Sequence, residues 1–243
     1  MVQTLPPELE QTLLKIGSIA FIVGSIIAII STLFHATSKD PANQVLEFTA
    51  YANSDSWTAV HIGQFVGVII VFSGGFVALN RLLVQSESSI SSILAWIGLA
   101  LAIMTASAFA VLQAVDGIAN KMAVDSWVAA SPEEKVITFK VAEGIRFIEY
   151  GTNSIFRILQ GTVAVIFGIT VLKSKVLNKW ICVVGVVIGA VTIYACLGIV
   201  YLVFVGLTTI IGISMIIYFI WVTILGVLML RKSTSRVFVE RKR

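Results

Sequence analysis

Charged side chains are missing from this chain in long blocks, and no other feature of the sequence restricts its fold so tightly. None of Asp, Glu, Lys, Arg or His occurs in residues 16–34, 62–80, 88–115, 158–172 or 180–230. Crossing the ~30 Å hydrocarbon layer of a bilayer takes about 20 helical residues. Each of the first four gaps therefore marks one crossing, and the gap from Trp180 to Leu230 holds two, reversing near Gly198 to Gly206. Only 12% of the residues are charged and 58% are hydrophobic, against about 25% charged in a soluble domain. Lone apolar strands cannot cross lipid with their backbone groups unsatisfied, and no alternating pattern suggests a barrel. The expected fold class is all-α: a polytopic transmembrane helix bundle forming a single domain over residues 1–243, its partner the lipid bilayer. Six spans are expected at about 13–35, 58–81, 90–114, 151–173, 178–199 and 206–230, followed by a basic tail at 231–243.

Basic residues are retained on the cytoplasmic side, which gives the chain an orientation. With the N-terminus inside, the inner segments hold Lys15, Arg81, Lys173, Lys175, Lys179, Arg231, Lys232, Arg236, Arg241, Lys242 and Arg243, whereas the outer ones hold only Lys39, Lys121, Lys135, Lys140 and Arg146. The expectation is a multi-pass cell-membrane protein with both termini cytoplasmic. Glu8 and Glu10 interrupt the basic region that a secretory signal would carry, so the first span reads as an uncleaved anchor. Cys182 and Cys196 lie about 21 Å apart along one helix and cannot bridge each other. No nucleic-acid motif is present.

The third and fourth helices are expected to extend beyond the membrane on the outer side. Ser131-Pro132-Glu133-Glu134 reads as a helix start, with a Ser cap, Pro at the first position and a Glu closing the capping box. A helix from Pro132 to Leu172 would be about 60 Å long, twice the hydrocarbon thickness, with Gly144 and Gly151 as bending points. Between the first two spans, Asp40-Pro41 and Asn53-Ser54-Asp55 supply turns around a short interfacial helix, Asn43 to Tyr51. Gly63/Gly67 and Gly185/Gly189 have the four-residue spacing that lets membrane helices approach closely.

One face of the fourth helix is polar. Glu143, Arg146, Tyr150, Asn153, Arg157 and Gln160 follow a three-four spacing and share a stripe about 26 Å long. The outer end of the third span adds Gln113, Asp116 and Asn120, and antiparallel pairing would bring Asp116 to Arg146 or Tyr150, an ion pair being the simplest satisfaction of Asp116 and Arg146. The second span opens with Trp57, His61 and Gln64 on one face, and the first closes at His35, so both histidines lie at the outer boundary. Counting back from Lys173 puts Arg157 about 6 Å inside the membrane, where a cation is costly unless it faces the bundle. A structural role remains open for it: snorkelling to headgroups, or pairing with Asp116 or Glu149.

These positions, Phe34-His35 with Asp40-Pro41, Trp57 to His61, Val115-Asp116-Gly117, and Glu143-x-x-Arg146-x-x-Glu149 leading to Phe156-Arg157 and Gly161, resemble the pattern of a prokaryotic family of small six-span membrane proteins with no established activity. The resemblance covers roughly the first two-thirds of the chain. It implies a shared six-helix fold and treats these positions as one group, and it implies nothing about chemistry.

Three functional expectations follow. In the leading one, a non-enzymatic protein has an outward-facing polar cleft on the outer halves of the first four spans and binds or passes a small polar or anionic ligand. Arg157 and Arg146 supply charge, Asn153, Gln160, Gln64 and Tyr150 orient the ligand, and Asp116, Glu143 and Glu149 hold the arginines. In the second, His35 and His61, with Asp116, Glu143 or Glu149, hold a metal ion, or the two histidines clamp a haem as axial ligands. In the third, the chain is a subunit of a membrane complex or an oligomer. No internal repeat marks it as a transporter.

Overall fold

The computed structural model describes residues 6–40, 43–86, 88–202 and 208–234. Seven helices occur among them, with no strand, which makes the fold all-α. They are α1 (Pro7–Leu33), α2 (Gln44–Ala52), α3 (Trp57–Val84), α4 (Ser89–Ala129), α5 (Lys135–Ser174), α6 (Lys179–Leu202) and α7 (Thr208–Thr234). All but α2 are long and apolar enough to cross a membrane. The reversal after Gly198 and most of the basic tail fall largely outside the described residues.

Helix ends depart from the sequence expectation for local reasons. α1 begins earlier because Pro7 sits in its first turn with Glu8 and Glu10, a favourable helix start. It stops at Leu33, so His35 belongs to the following loop and not to the span. The capping box at Ser131 does not form. The Ser131 hydroxyl instead bonds the Glu134 carboxylate at 3.3 Å, residues 132–134 make a turn, and the helix starts at Lys135. From there α5 runs unbroken through Gly144 and Gly151 to a left-handed Lys175. Its forty residues correspond to about 60 Å, matching the extended helix expected. The short helix expected between the first two spans is α2, capped by the Asn43 side chain, which accepts from the Val45 and Leu46 amides.

Two spans contain a π-helical turn that periodicity did not indicate: Ile70–Gly75 in α3 and Ala114–Asn120 in α4. The second lies at the polar end of the bundle.

α5 packs between α4 and α6, and α1 between α3 and α7. Glycine permits two of these approaches. A Cβ on Gly67 would stand 2.7 Å from the Gly24 carbonyl of α1, and a Cβ on Gly161 would stand 2.7 Å from the Gly189 carbonyl of α6. The main core is continuous through the bundle, with Phe21, Phe72, Phe76, Phe167 and Trp221 fully buried. A smaller cluster at one end of the bundle, around Phe48, Tyr51, Trp57, Val124 and Trp127, seats α2 on the ends of α4 and α5. That cluster packs one end of the bundle, and the polar residues converge beneath it.

Candidate functional site

At this end of the bundle lies a cavity of about 330 Å³. Its polar wall is Thr32 of α1, His35 and Thr37 of the loop, Gln64 of α3, Gln113 and Asp116 of α4, and Arg146, Glu149, Asn153 and Arg157 of α5. Its apolar wall includes Val68, Phe109 and Phe156, together with Met215 and Phe219 of α7. The sequence reading left the last two spans out of the site. Their apolar runs gave no sign that α7 would close the cavity, since an apolar wall looks the same as a lipid face in sequence.

Arg146 is the neutralised arginine. Its guanidinium lies 2.7 Å from the Glu149 carboxylate and 3.9 Å from Asp116, and it stacks on the Tyr150 and Tyr51 rings at 4.5 and 5.3 Å. The pair with Asp116 expected from sequence is thus the longer of two contacts. Glu149, one turn away on the same helix, is the nearer partner and is itself buried.

Arg157 is placed differently. Its Nε donates to Asn153 Oδ1 at 3.3 Å and its Nη1 to Gln160 Oε1 at 3.1 Å. Among the described residues no carboxylate comes within 4 Å of it, so neither Asp116 nor Glu149 forms a direct ion pair with it, although Glu149 acts on its charge from farther off, with Asn153 between them. Asn153 also donates to Glu149 at 3.2 Å, which orients its oxygen toward the arginine. Across the cavity, Gln113 donates to Gln64 at 3.3 Å, and Gln64 to the Thr32 hydroxyl at 3.4 Å. Gln113 Oε1 is buried without a partner.

Not every residue of the stripe reaches the cavity. Glu143 pairs with Lys140 at 2.6 Å on the exposed flank, Tyr150 is half-exposed over Arg146, and Gln160 is buried behind Arg157.

Both histidines converge on Asp116. The His61 Nε2 is 3.5 Å and the His35 Nε2 3.9 Å from Asp116 Oδ2. Each ring turns its other nitrogen to a backbone carbonyl: His61 Nδ1 lies 2.8 Å from Trp57 O, and His35 Nδ1 2.8 Å from Ala36 O. Burial is the first cause holding the His35 imidazole below its ordinary pKa, against the pull of Asp116, and His61 and Arg146 act in the same direction as burial. The π-turn of α4 shapes the place. Trp57 Nε1 donates to the Gly117 carbonyl at 2.8 Å, and a Cβ on Gly117 would stand 3.1 Å from the His61 ring. A π-turn at a polar site re-aims side chains that an α-helix would spread apart.

Sequence reasoning missed the role of α2. Glu47 is buried beneath it, accepting from the Tyr51 hydroxyl at 2.7 Å and the Ser38 amide at 2.8 Å. Burial above all, then the Glu47 carboxylate, raises the Tyr51 phenol pKa against the effect of Arg146, which keeps it a neutral donor. Tyr51 and Trp57 pack around His35 at 6.1 and 5.4 Å between ring centroids.

The two imidazole centroids are 5.1 Å apart, and the Asp116 carboxylate faces both Nε2 atoms. Axial imidazoles on opposite faces of a haem stand about 6 Å apart, given metal–nitrogen bonds of ~2.0 Å. The pair as arranged stands closer than that, with the Asp116 carboxylate facing both.

The chain matches no protein-family model, no curated protein and no solved structure.

Proposed function

We propose that the chain is a multi-pass membrane protein, both termini cytoplasmic, whose cavity opens toward the outer face and binds a small ligand bearing a carboxylate or phosphate. The distribution of Lys and Arg supports the orientation. Arg157 carries the ligand reading. A guanidinium inside a membrane bundle normally pairs with a carboxylate, because an unpaired cation there costs several kcal/mol, roughly 2.5 or more. This one is held by two amide oxygens and lines a cavity, an arrangement that leaves its positive charge for an incoming anion. The glutamines and Asn153 supply hydrogen bonds, and the aromatic and methionine wall suits a compact apolar body. A volume near 330 Å³ is at the small end of ligand sites.

The test is thermal unfolding of the detergent-purified protein with succinate, acetate, inorganic phosphate and glycerol phosphate in turn. At least one should stabilise the wild type, and Arg157→Ala should insert, stay monodisperse and lose the response. If Arg157→Ala fails to insert or fold, Arg157 is structural. No response of the wild type to any of the four sinks the reading.

A further inference from the structure

We propose that His35, His61 and Asp116 form a binding site for a divalent transition metal ion of the zinc or ferrous class, with a coordination position left open toward the cavity. One donor atom from each residue lies within 4.8 Å of the others. A His–Asp hydrogen bond has a length of about 2.7–3.2 Å, and both imidazoles stand farther off, at 3.5 and 3.9 Å. Donors bound to one ion at ~2.1 Å stand about 3.0–3.5 Å apart, so a small inward shift seats all three.

The surroundings carry the same reading. Each imidazole meets a backbone carbonyl through Nδ1, at 2.8 Å, which fixes the tautomer with Nδ1–H donating and directs the Nε2 lone pair to Asp116. Metal-bound histidines are oriented in this way. His61 is 5% exposed, and its Nε2 faces the Asp116 carboxylate at 3.5 Å without a short hydrogen bond. A buried lone pair turned toward a carboxylate is costly, and an ion between them would satisfy both. The other carboxylate oxygen of Asp116 accepts from Asn120 at 3.4 Å and faces Arg146 at 3.9 Å, so its position too is set by neighbours. Two imidazoles and one carboxylate suit Zn(II) or Fe(II) better than a hard ion such as Mg(II). His35 and Asp116 line the cavity while His61 lies behind them, so a fourth ligand would enter from the cavity. Such a site would place a second positive centre on the cavity that Arg157 lines. Metal binding is read without any anion, so it stands or falls apart from the anion reading.

The experiment uses the full chain purified in detergent, metal-stripped and titrated with Zn(II) and Co(II) by calorimetry. One equivalent should bind per chain. His35→Ala, His61→Ala and Asp116→Asn should each lose at least tenfold in affinity, while Asp125→Asn, a carboxylate on the same helix that pairs with Lys121, should bind as the wild type does. Absence of binding by the wild type, or binding unchanged in all three variants, overturns the proposal. Should the variants fail to fold, X-ray absorption at the zinc edge of the loaded wild type decides: two imidazole ligands are expected, and fewer than two overturn it.

Discussion

The indole nitrogen of Trp57 donates to the carbonyl of Gly117 at 2.8 Å, tying the head of α3 to the π-turn of α4. The bond holds in place the stretch that presents Asp116 to the histidines. Trp57→Phe keeps an aromatic ring but removes the donor to Gly117 and part of a buried indole. The expected loss is about 1–3 kcal/mol, read as a lowered thermal midpoint in detergent. Gly117→Ala acts at the same contact by crowding the His61 ring at 3.1 Å, with an expected cost of about 1–3 kcal/mol. Equal stability of both variants and the wild type would show that the π-turn is held by other contacts.

Glu149 is the close partner of Arg146, and both are largely buried. Glu149→Gln leaves the guanidinium with only the 3.9 Å contact to Asp116 and the two tyrosine faces. Breaking one side of a buried pair typically costs ~3–5 kcal/mol, whereas removing both sides costs less. Arg146→Gln combined with Glu149→Gln is therefore expected to unfold at a higher temperature than Glu149→Gln alone. A double variant no better than the single would mean that Arg146 contributes through its tyrosine stacking more than through charge.

Six helices were legible because span length and charge exclusion are local consequences of the solvent. The polar stripe of α5 was legible because helical spacing alone places Arg146, Asn153 and Arg157 on one face. Partner choice was legible only in part: Glu149 belongs to the carboxylates expected to hold the arginines, yet the ion pair singled out was Asp116 with Arg146, and a three-residue reach along the helix brings Glu149 closer to Arg146 than Asp116 comes across the interface. The π-turns escaped because the weak helix formers within them, Asp116, Gly117 and Asn120 in one and Gly74 and Gly75 in the other, are compatible with an α-turn as well as a π-turn, and the wider turn answers to tertiary contacts such as Trp57 with Gly117. Met215 and Phe219 were missed for the opposite reason, since apolar residues report only that they avoid water.

Two glycines of α5 should respond in opposite ways. Gly161 meets the backbone of α6 at Gly189, so Gly161→Val must force the helices apart; the expected loss is more than about 2 kcal/mol, or failure to fold. Gly144 has open space around its Cβ position within an unbroken helix. There Gly144→Ala should be neutral or gain up to ~1 kcal/mol from helix propensity. Thermal midpoints of the two variants in the same detergent make the comparison, and a stable Gly161→Val would refute the close-contact account of the α5–α6 crossing.

The orientation decides which solution the cavity samples. α4 and α5 project past the others at the end carrying Asp125 and Lys140, whose side chains are 51% and 66% exposed, while Lys179 is exposed at the opposite end. The native Cys182 and Cys196 are buried, so single cysteines placed elsewhere report cleanly. In intact cells a membrane-impermeant maleimide is expected to label Asp125→Cys and Lys140→Cys, and to reach Lys179→Cys only after permeabilisation. The reverse pattern would put the cavity on the cytoplasmic side. The excess of Lys and Arg near Lys173, Lys179 and Arg231 would then lie outside, against the retention of basic segments during insertion.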